Sequence, residues 1–97
     1  MKKYELTEET ITINGDQTLY RIKALRDFSD VKAGDLGGFV ESEKNLSQDG
    51  DCWIYDEAIV SDFARIYDSA RIFGSARIGG STSIGGSTSI GGTADIY

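Results

Sequence analysis

The chain contains no histidine and no proline, and it has a single cysteine among its 97 residues. Without histidine, the side chain that most often moves protons near neutral pH is missing, so Ser-His-Asp and Cys-His catalytic arrangements are excluded. No pair of carboxylates has a spacing that favours acid–base chemistry, and scattered carboxylates with one cysteine form no metal signature. We therefore predict that the protein is not an enzyme and has no catalytic residue, cofactor or metal.

The single cysteine, Cys52, cannot form a disulfide within the chain and fits a reducing compartment. Its position in a register of small residues predicts a buried packing role rather than a reactive thiol. No run of apolar residues is long enough to cross a membrane, and polar residues rather than an apolar signal region follow the first three positions. We expect a cytoplasmic protein without a membrane partner.

The charge is unevenly distributed along the chain. There are 10 basic and 16 acidic residues, which give a formal net charge of −6. Between residues 35 and 57 the acidic residues are densest, and Lys44 is the one basic residue there. Such a surface repels phosphate, so we predict no direct contact with nucleic acid. This acidic patch is either a solvated surface or a site for a cationic protein partner; its residues are Asp35, Glu41, Glu43, Asp49, Asp51, Asp56 and Glu57.

A branched aliphatic residue returns at every sixth position in the second half of the chain. No helix has this period, because 3.6 residues per turn would carry every sixth residue around the axis. A small residue follows four positions after each aliphatic, and Asp or Gly, which tolerate turn geometry, follows two positions after it. The pattern predicts a parallel β-helix. The aliphatic residues are Ile54, Val60, Ile66, Ile72, Ile78, Ile84, Ile90 and Ile96.

The first forty residues are not repetitive and predict a β-hairpin. Alternation over residues 10–13, the turn signal Asn14-Gly15 and a second strand over residues 18–25 carry this prediction. Residues 27–38 are predicted to be loop, with turns at 33–35 and 36–38. We expect a single domain of residues 1–97, in which a hairpin-and-loop cap (1–38) covers the first coil of a β-helix (39–97).

Several segments ahead of the coils resemble a known family. They are Asp27-Phe28-Ser29-Asp30-Val31-Lys32-Ala33-Gly34, Gly37-Gly38-Phe39-Val40-Glu41, Asn45-Leu46-Ser47-Gln48 and Gly50-Asp51-Cys52-Trp53-Ile54-Tyr55-Asp56. The segments are similar to those of YdcK-type bacterial proteins of the hexapeptide-repeat transferase group, which has short phage and prophage members. The resemblance implies a left-handed, all-β helix of about three coils, with three hexads in each. Acyltransferases of that group typically use histidine as general base, which this chain lacks.

A coil of three hexads would stack residues that lie about eighteen positions apart, one strand spacing from each other. Tyr55 would then lie below Phe73, and Arg77 would lie below Asp95, close enough to form an ion pair. Exposed aromatic residues with arginines nearby are typical of protein interfaces. The predicted partner-binding residues of this kind are Tyr55, Tyr67, Phe73, Arg65 and Arg71.

The repeat continues to Ile96, one residue before Tyr97. An uncovered last coil would expose unpaired strand edges and the end of the interior, which favours pairing with another chain. We therefore predict a homo-oligomer, either an end-to-end dimer or a side-by-side trimer. The predicted oligomer interface comprises Ile84, Ile90, Ile96 and Tyr97.

The favoured function is a non-catalytic β-helical structural or interaction module, encoded by a phage or mobile element, that self-assembles and binds a protein partner in a bacterial host cell or virion. One alternative is a small acidic inhibitor, an anti-defence factor that imitates nucleic acid and blocks a host nucleic-acid-binding enzyme. A degenerate hexapeptide-repeat acyltransferase is another. Ice binding through the Ser-Thr-Ser triplets is the fourth, and it is disfavoured because Thr82 and Thr88 are predicted to point inward.

Overall fold

The computed structural model describes residues 2–97, which form an all-β chain with one three-residue 3-10 turn. The strands of the cap and its junction are β1 (Tyr4–Ile13), β2 (Gln17–Ala24) and β3 (Leu36–Val40), followed by the 3-10 turn Glu43–Asn45. Eight two-residue strands follow: β4 (Trp53–Ile54), β5 (Ile59–Val60), β6 (Arg65–Ile66), β7 (Arg71–Ile72), β8 (Arg77–Ile78), β9 (Ser83–Ile84), β10 (Ser89–Ile90) and β11 (Asp95–Ile96). No helix in residues 2–97 is long and apolar enough to cross a membrane.

The short strands pair in parallel along three faces. The sheet orders are β1-β2-β3-β5-β8-β11, β10-β7-β4 and β6-β9. Each strand pairs with the third strand along the chain, so Ile54, Ile72 and Ile90 lie in one column. The predicted parallel β-helix with three hexads per coil is confirmed. Asp95 is likewise the partner of Arg77 in the ladder, although their side chains are not among the ion pairs of residues 2–97.

The hairpin forms as the sequence predicts, because the Asn14-Gly15 turn adopts positive φ angles of 51° and 84°. The prediction of a turn at residues 36–38 is wrong. These residues begin β3, which pairs with β2 on one side and β5 on the other. A Cβ at Gly37 would lie 2.5 Å from the Ile54 carbonyl oxygen, and one at Gly38 would lie 2.3 Å from that of Ala58. The two glycines therefore allow a close approach of backbones rather than a turn.

The corners of the first coil carry aspartates in the left-handed region. Asp56, Asp62 and Asp68 have φ angles of 59°, 59° and 58°. Each carboxylate accepts a hydrogen bond from the amide of the glycine one coil later. The donors are Gly74 at 3.1 Å, Gly80 at 2.9 Å and Gly86 at 3.2 Å. The aspartates thus fit the corner geometry and tie successive coils together.

The interior is a continuous column of aliphatic and small side chains. Ile54, Ile72 and Ile78 are fully buried, and Trp53 extends the core toward the cap. There the rings of Tyr4 and Phe28 meet Trp53 edge-on, at centroid distances of 6.2 and 5.2 Å. Burial decreases in the last coil. Thr82 is half-buried and Thr88 is exposed. They hold the same phase as the buried Ala64 and Ala70 one coil earlier, so the inward direction of their side chains stays a prediction.

Candidate functional site

A groove of about 290 Å³ runs along the three-stranded face of the β-helix. We call it the aromatic groove; it is lined by Asp30, Tyr55, Asp56, Arg71, Phe73 and Ser89. The ladder β10-β7-β4 places Arg71 between Trp53 and Ser89, and the residues after each strand lie at the rim. Three of the predicted partner-binding residues, Tyr55, Arg71 and Phe73, therefore come together on one face.

A loop of the cap forms one wall of this groove. The Tyr55 hydroxyl donates to Asp30 Oδ1 at 2.8 Å, and Arg71 Nη2 donates to Ser29 Oγ at 2.9 Å. Reciprocal backbone hydrogen bonds between Phe28 and Val31, of 2.9 and 2.8 Å, close the loop into a tight turn. Burial, with the Asp30 carboxylate second, raises the pKa of Tyr55 to about 12. The phenol is therefore neutral and committed as a donor at physiological pH.

An exposed aromatic ring covers a glycine on each face of the β-helix. The Phe73 ring is 40% exposed and lies against Gly91, where an added Cβ would be 1.9 Å from a ring carbon. Tyr67 covers Gly85 in the same way, at 2.2 Å. Tyr97 covers Gly79, which lies one coil earlier. Glycine at these positions leaves room for each ring to lie against the backbone of the neighbouring coil.

Arg65 and Tyr67 lie on the two-stranded face, away from the aromatic groove. They line an open groove of about 560 Å³ together with Ser47, Gln48 and Ser83. The five aromatic and arginine residues predicted to bind a partner thus belong to two surfaces. An adjoining groove contains Phe63, which is 81% exposed and was not predicted. Its signal in the sequence is an aromatic residue at a corner position that is polar in the neighbouring hexads.

The acidic patch is largely engaged within the chain. Glu43 pairs with Lys2 at 3.1 Å, and Glu57 pairs with Arg21 at 2.8 Å. Backbone amides donate to the side chains of three further members: Asp35, Glu41 and Asp56. The other two, Asp49 and Asp51, are exposed on the loop before β4. Partner binding by this patch stays a prediction.

The last coil presents the residues predicted to form an oligomer interface. β9, β10 and β11 each end their sheet, so each has an unpaired edge within residues 2–97. Ile84 is 7% exposed, and Tyr97 is 67% exposed. Ile90 and Ile96 are only partly buried.

No protein-family model matches the chain. In an alignment of 68 positions that covers 63% of the chain, it is 41% identical to the uncharacterized acetyltransferase YdcK of Escherichia coli (strain K12). The predicted resemblance to YdcK-type hexapeptide-repeat proteins is confirmed. The chain spans 21% of the length of YdcK.

The match to YdcK contradicts the prediction that the protein is not an enzyme, because YdcK bears the name of an acetyltransferase. The prediction came from the missing histidine and from carboxylates without a catalytic spacing. The missing histidine argues only against a histidine general base within these 97 residues. The spacing of carboxylates along the sequence is also a weak guide in a β-helix, because residues that are distant in sequence lie side by side on one face. The predicted absence of catalytic residues therefore does not exclude activity.

Proposed function

We propose that the chain is a β-helical interaction module that binds a protein partner through the aromatic groove and a second copy of itself through the last coil. The observation that carries the proposal is the convergence of Tyr55, Arg71 and Phe73 in one groove with a wall fixed by two hydrogen bonds. An exposed ring beside a guanidinium offers apolar area together with charge-assisted hydrogen bonding. The short paired strands make this surface rigid, so little ordering entropy opposes binding.

Quantitative capture from a bacterial lysate tests partner binding. The wild-type chain is compared with Phe73→Ser and with Tyr67→Ser, which removes an equivalent ring from a different face. We expect a partner that Phe73→Ser loses and Tyr67→Ser retains. Equal capture by all three proteins would contradict a role for the aromatic groove. Salt-sensitive capture that depends on Asp49 and Asp51 would instead favour the acidic-inhibitor hypothesis.

The match to YdcK favours a second function, acetyl transfer. We propose acetyl-CoA as the donor to test, because it is the common activated acetyl group of cells. Native mass spectrometry would detect a bound donor, and release of its free thiol in the presence of candidate amines and hydroxyl compounds would detect transfer. Binding and turnover would establish this function; donor binding without turnover would indicate a degenerate transferase.

A further inference from the structure

A lysine and the single cysteine meet beneath the cap. Lys3 and Cys52 are both fully buried, and Lys3 Nζ lies 3.3 Å from Cys52 Sγ. Buried lysine is uncommon, because the ammonium group loses its hydration in the interior. The two residues are separated by 49 positions in sequence. Their contact therefore depends on how the cap sits on the first coil.

The amine is held against the sulfur by its surroundings. Lys3 Nζ donates to the carbonyl oxygen of Cys52 at 2.7 Å and to that of Gly50 at 3.3 Å. The Lys3 backbone amide donates to Gln48 Oε1 at 2.8 Å, and its carbonyl accepts from the Leu25 amide at 2.7 Å. The buried sulfur also lies 3.6 Å from the Ser47 carbonyl oxygen and 3.7 Å from that of Ile66.

We propose that Lys3 and Cys52 are an oxidation-dependent modification site, at which a peroxide converts the pair into a covalent sulfenamide cross-link. In the first step the Cys52 sulfur attacks a peroxide oxygen, the O–O bond breaks, and sulfenic acid and water form. In the second step the neutral Lys3 amine attacks that sulfur, an S–N bond forms, and the S–O bond breaks. The departing hydroxide takes the proton from the amine and leaves as water. The sulfur is oxidised by two electrons, and one hydrogen peroxide is reduced to two waters.

The environment favours the second step, and the loop beside the pair gives a route for the peroxide of the first. Burial lowers the pKa of the Lys3 amine from its ordinary value, although the Cys52 sulfur opposes that shift. The neutral amine that the second step requires therefore forms at a lower pH than in a solvated lysine. The exposed residues Asp49, Gly50 and Asp51 form a loop beside the pair, and the carbonyl oxygens of Asp49 and Gly50 accept from Lys3 Nζ at 3.5 and 3.3 Å. A local opening of this loop is enough to admit a small peroxide.

The cross-link would fasten the cap to the first coil. It would close a covalent loop over the 49-position separation of the two residues. Closing a loop of this length restricts the unfolded chain, as a disulfide does. We therefore expect the oxidised protein to unfold at a higher temperature and to return to the original temperature after reduction with dithiothreitol.

Mass spectrometry of the peroxide-treated protein tests the proposal. Cross-linking lowers the intact mass by about 2 Da, whereas oxygen addition to the sulfur raises it by about 16, 32 or 48 Da. Tryptic mapping should join the peptide that contains Lys3 to the peptide of residues 45–65. Lys3→Arg, which keeps the positive charge, and Cys52→Ser are the matched variants, and neither should show the joined peptides.

Oxygen addition at Cys52 with an unmodified Lys3 would overturn the proposal, and so would an unchanged mass. Joined peptides in Lys3→Arg would also overturn it, since the link would then involve another residue. Circular dichroism first checks that both variants fold. If either variant does not fold, the tryptic peptide map of the wild-type protein is sufficient to test the proposal, because it locates the S–N bond directly.

Discussion

At the scale of single residues, the interior aliphatic column carries the stability of the β-helix. Ile72 is fully buried between Ile54 and Ile90 of the neighbouring coils. Its side chain has no route to solvent on either side, because the backbone ladders of the coils enclose it. A polar group placed there therefore has no partner and no water.

Replacing Ile72 with aspartate should prevent folding. An isolated buried carboxylate costs several kcal/mol, which is comparable with the total stability of a small domain, on the order of 5–15 kcal/mol. Thermal unfolding followed by circular dichroism would show no cooperative transition. Ser75→Asp is the control, because Ser75 is exposed on the same coil. A soluble Ile72→Asp variant with a cooperative transition would contradict the interior position of Ile72.

Also at the residue scale, Tyr55 makes the stability of the folded state depend on pH. Its pKa is raised to about 12 by burial and by the hydrogen bond to Asp30, compared with about 10 in an unfolded chain. The folded state holds the phenolic proton more tightly, so this stabilisation is complete below pH 10 and is lost as the pH rises toward 12. Urea unfolding at pH 9 and at pH 11 should show a smaller loss of stability in Tyr55→Phe than in the wild type.

Comparing the two proteins isolates Tyr55, because every other titrating group is common to both. Alkaline titration followed by tyrosinate absorbance provides an independent measurement. It should find one phenol fewer ionising near pH 12 in Tyr55→Phe. An identical pH dependence of stability in the two proteins would contradict the buried, hydrogen-bonded environment of this phenol.

At the scale of structural elements, each corner aspartate both adopts the backbone conformation of the turn and bonds to the next coil. Asp68 adopts a positive φ of 58° and accepts a hydrogen bond from the Gly86 amide one coil later. Aspartate tolerates this conformation better than most residues with a side chain, and glycine has no steric cost in it. This explains why the corner positions from residue 56 onward hold only these two residue types: aspartate at 56, 62 and 68, and glycine at 74, 80, 86 and 92.

Asp68→Ala should destabilise the chain more than Asp68→Gly. Both variants lose the hydrogen bond to Gly86, but alanine also has the steric cost of the left-handed region, about 1–2 kcal/mol. Glycine increases the entropy of the unfolded chain, which reduces the difference by about 0.4–1 kcal/mol. Urea unfolding measures both free energies. Equal stability of the two variants would contradict the corner geometry.

At the scale of the whole molecule, the unpaired edges of β9, β10 and β11 could pair with a second copy of the chain. Two copies that meet through these edges would continue the interior as one longer β-helix and pair their backbone groups. A side-by-side trimer would instead pack the exposed rings of Tyr67 or Phe73 between subunits.

Light scattering at tens of micromolar should therefore show an oligomer. Ile96→Lys should dissociate an end-to-end form, because it places a charge in the joined interior, and should leave a side-by-side trimer intact. Thr93→Lys is the matched control, since Thr93 is exposed near the end of the same coil. A strictly monomeric wild-type protein would contradict both forms of assembly.

Local patterns in the sequence were sufficient for the architecture. The six-residue period of aliphatic residues predicts the β-helix, because each buried position recurs at the same point of every hexad. This prediction requires no knowledge of contacts between distant residues. Asn14-Gly15 likewise predicts the hairpin turn, since both residues favour positive φ. The turn predicted at Gly37 and Gly38 is wrong, because glycine also allows close backbone approach, and the approaching residues Ile54 and Ala58 are distant in sequence.

The surfaces were decided by tertiary structure. The wall of the aromatic groove comes from Ser29 and Asp30, which lie 42 and 25 positions before Arg71 and Tyr55. The contact of Lys3 with Cys52 spans 49 positions and has no signal in the sequence. A periodic sequence specifies which side chains face outward on each coil. Which of them meet depends on how the non-repetitive cap packs against the first coil, because that packing is fixed by contacts between distant residues rather than by spacing.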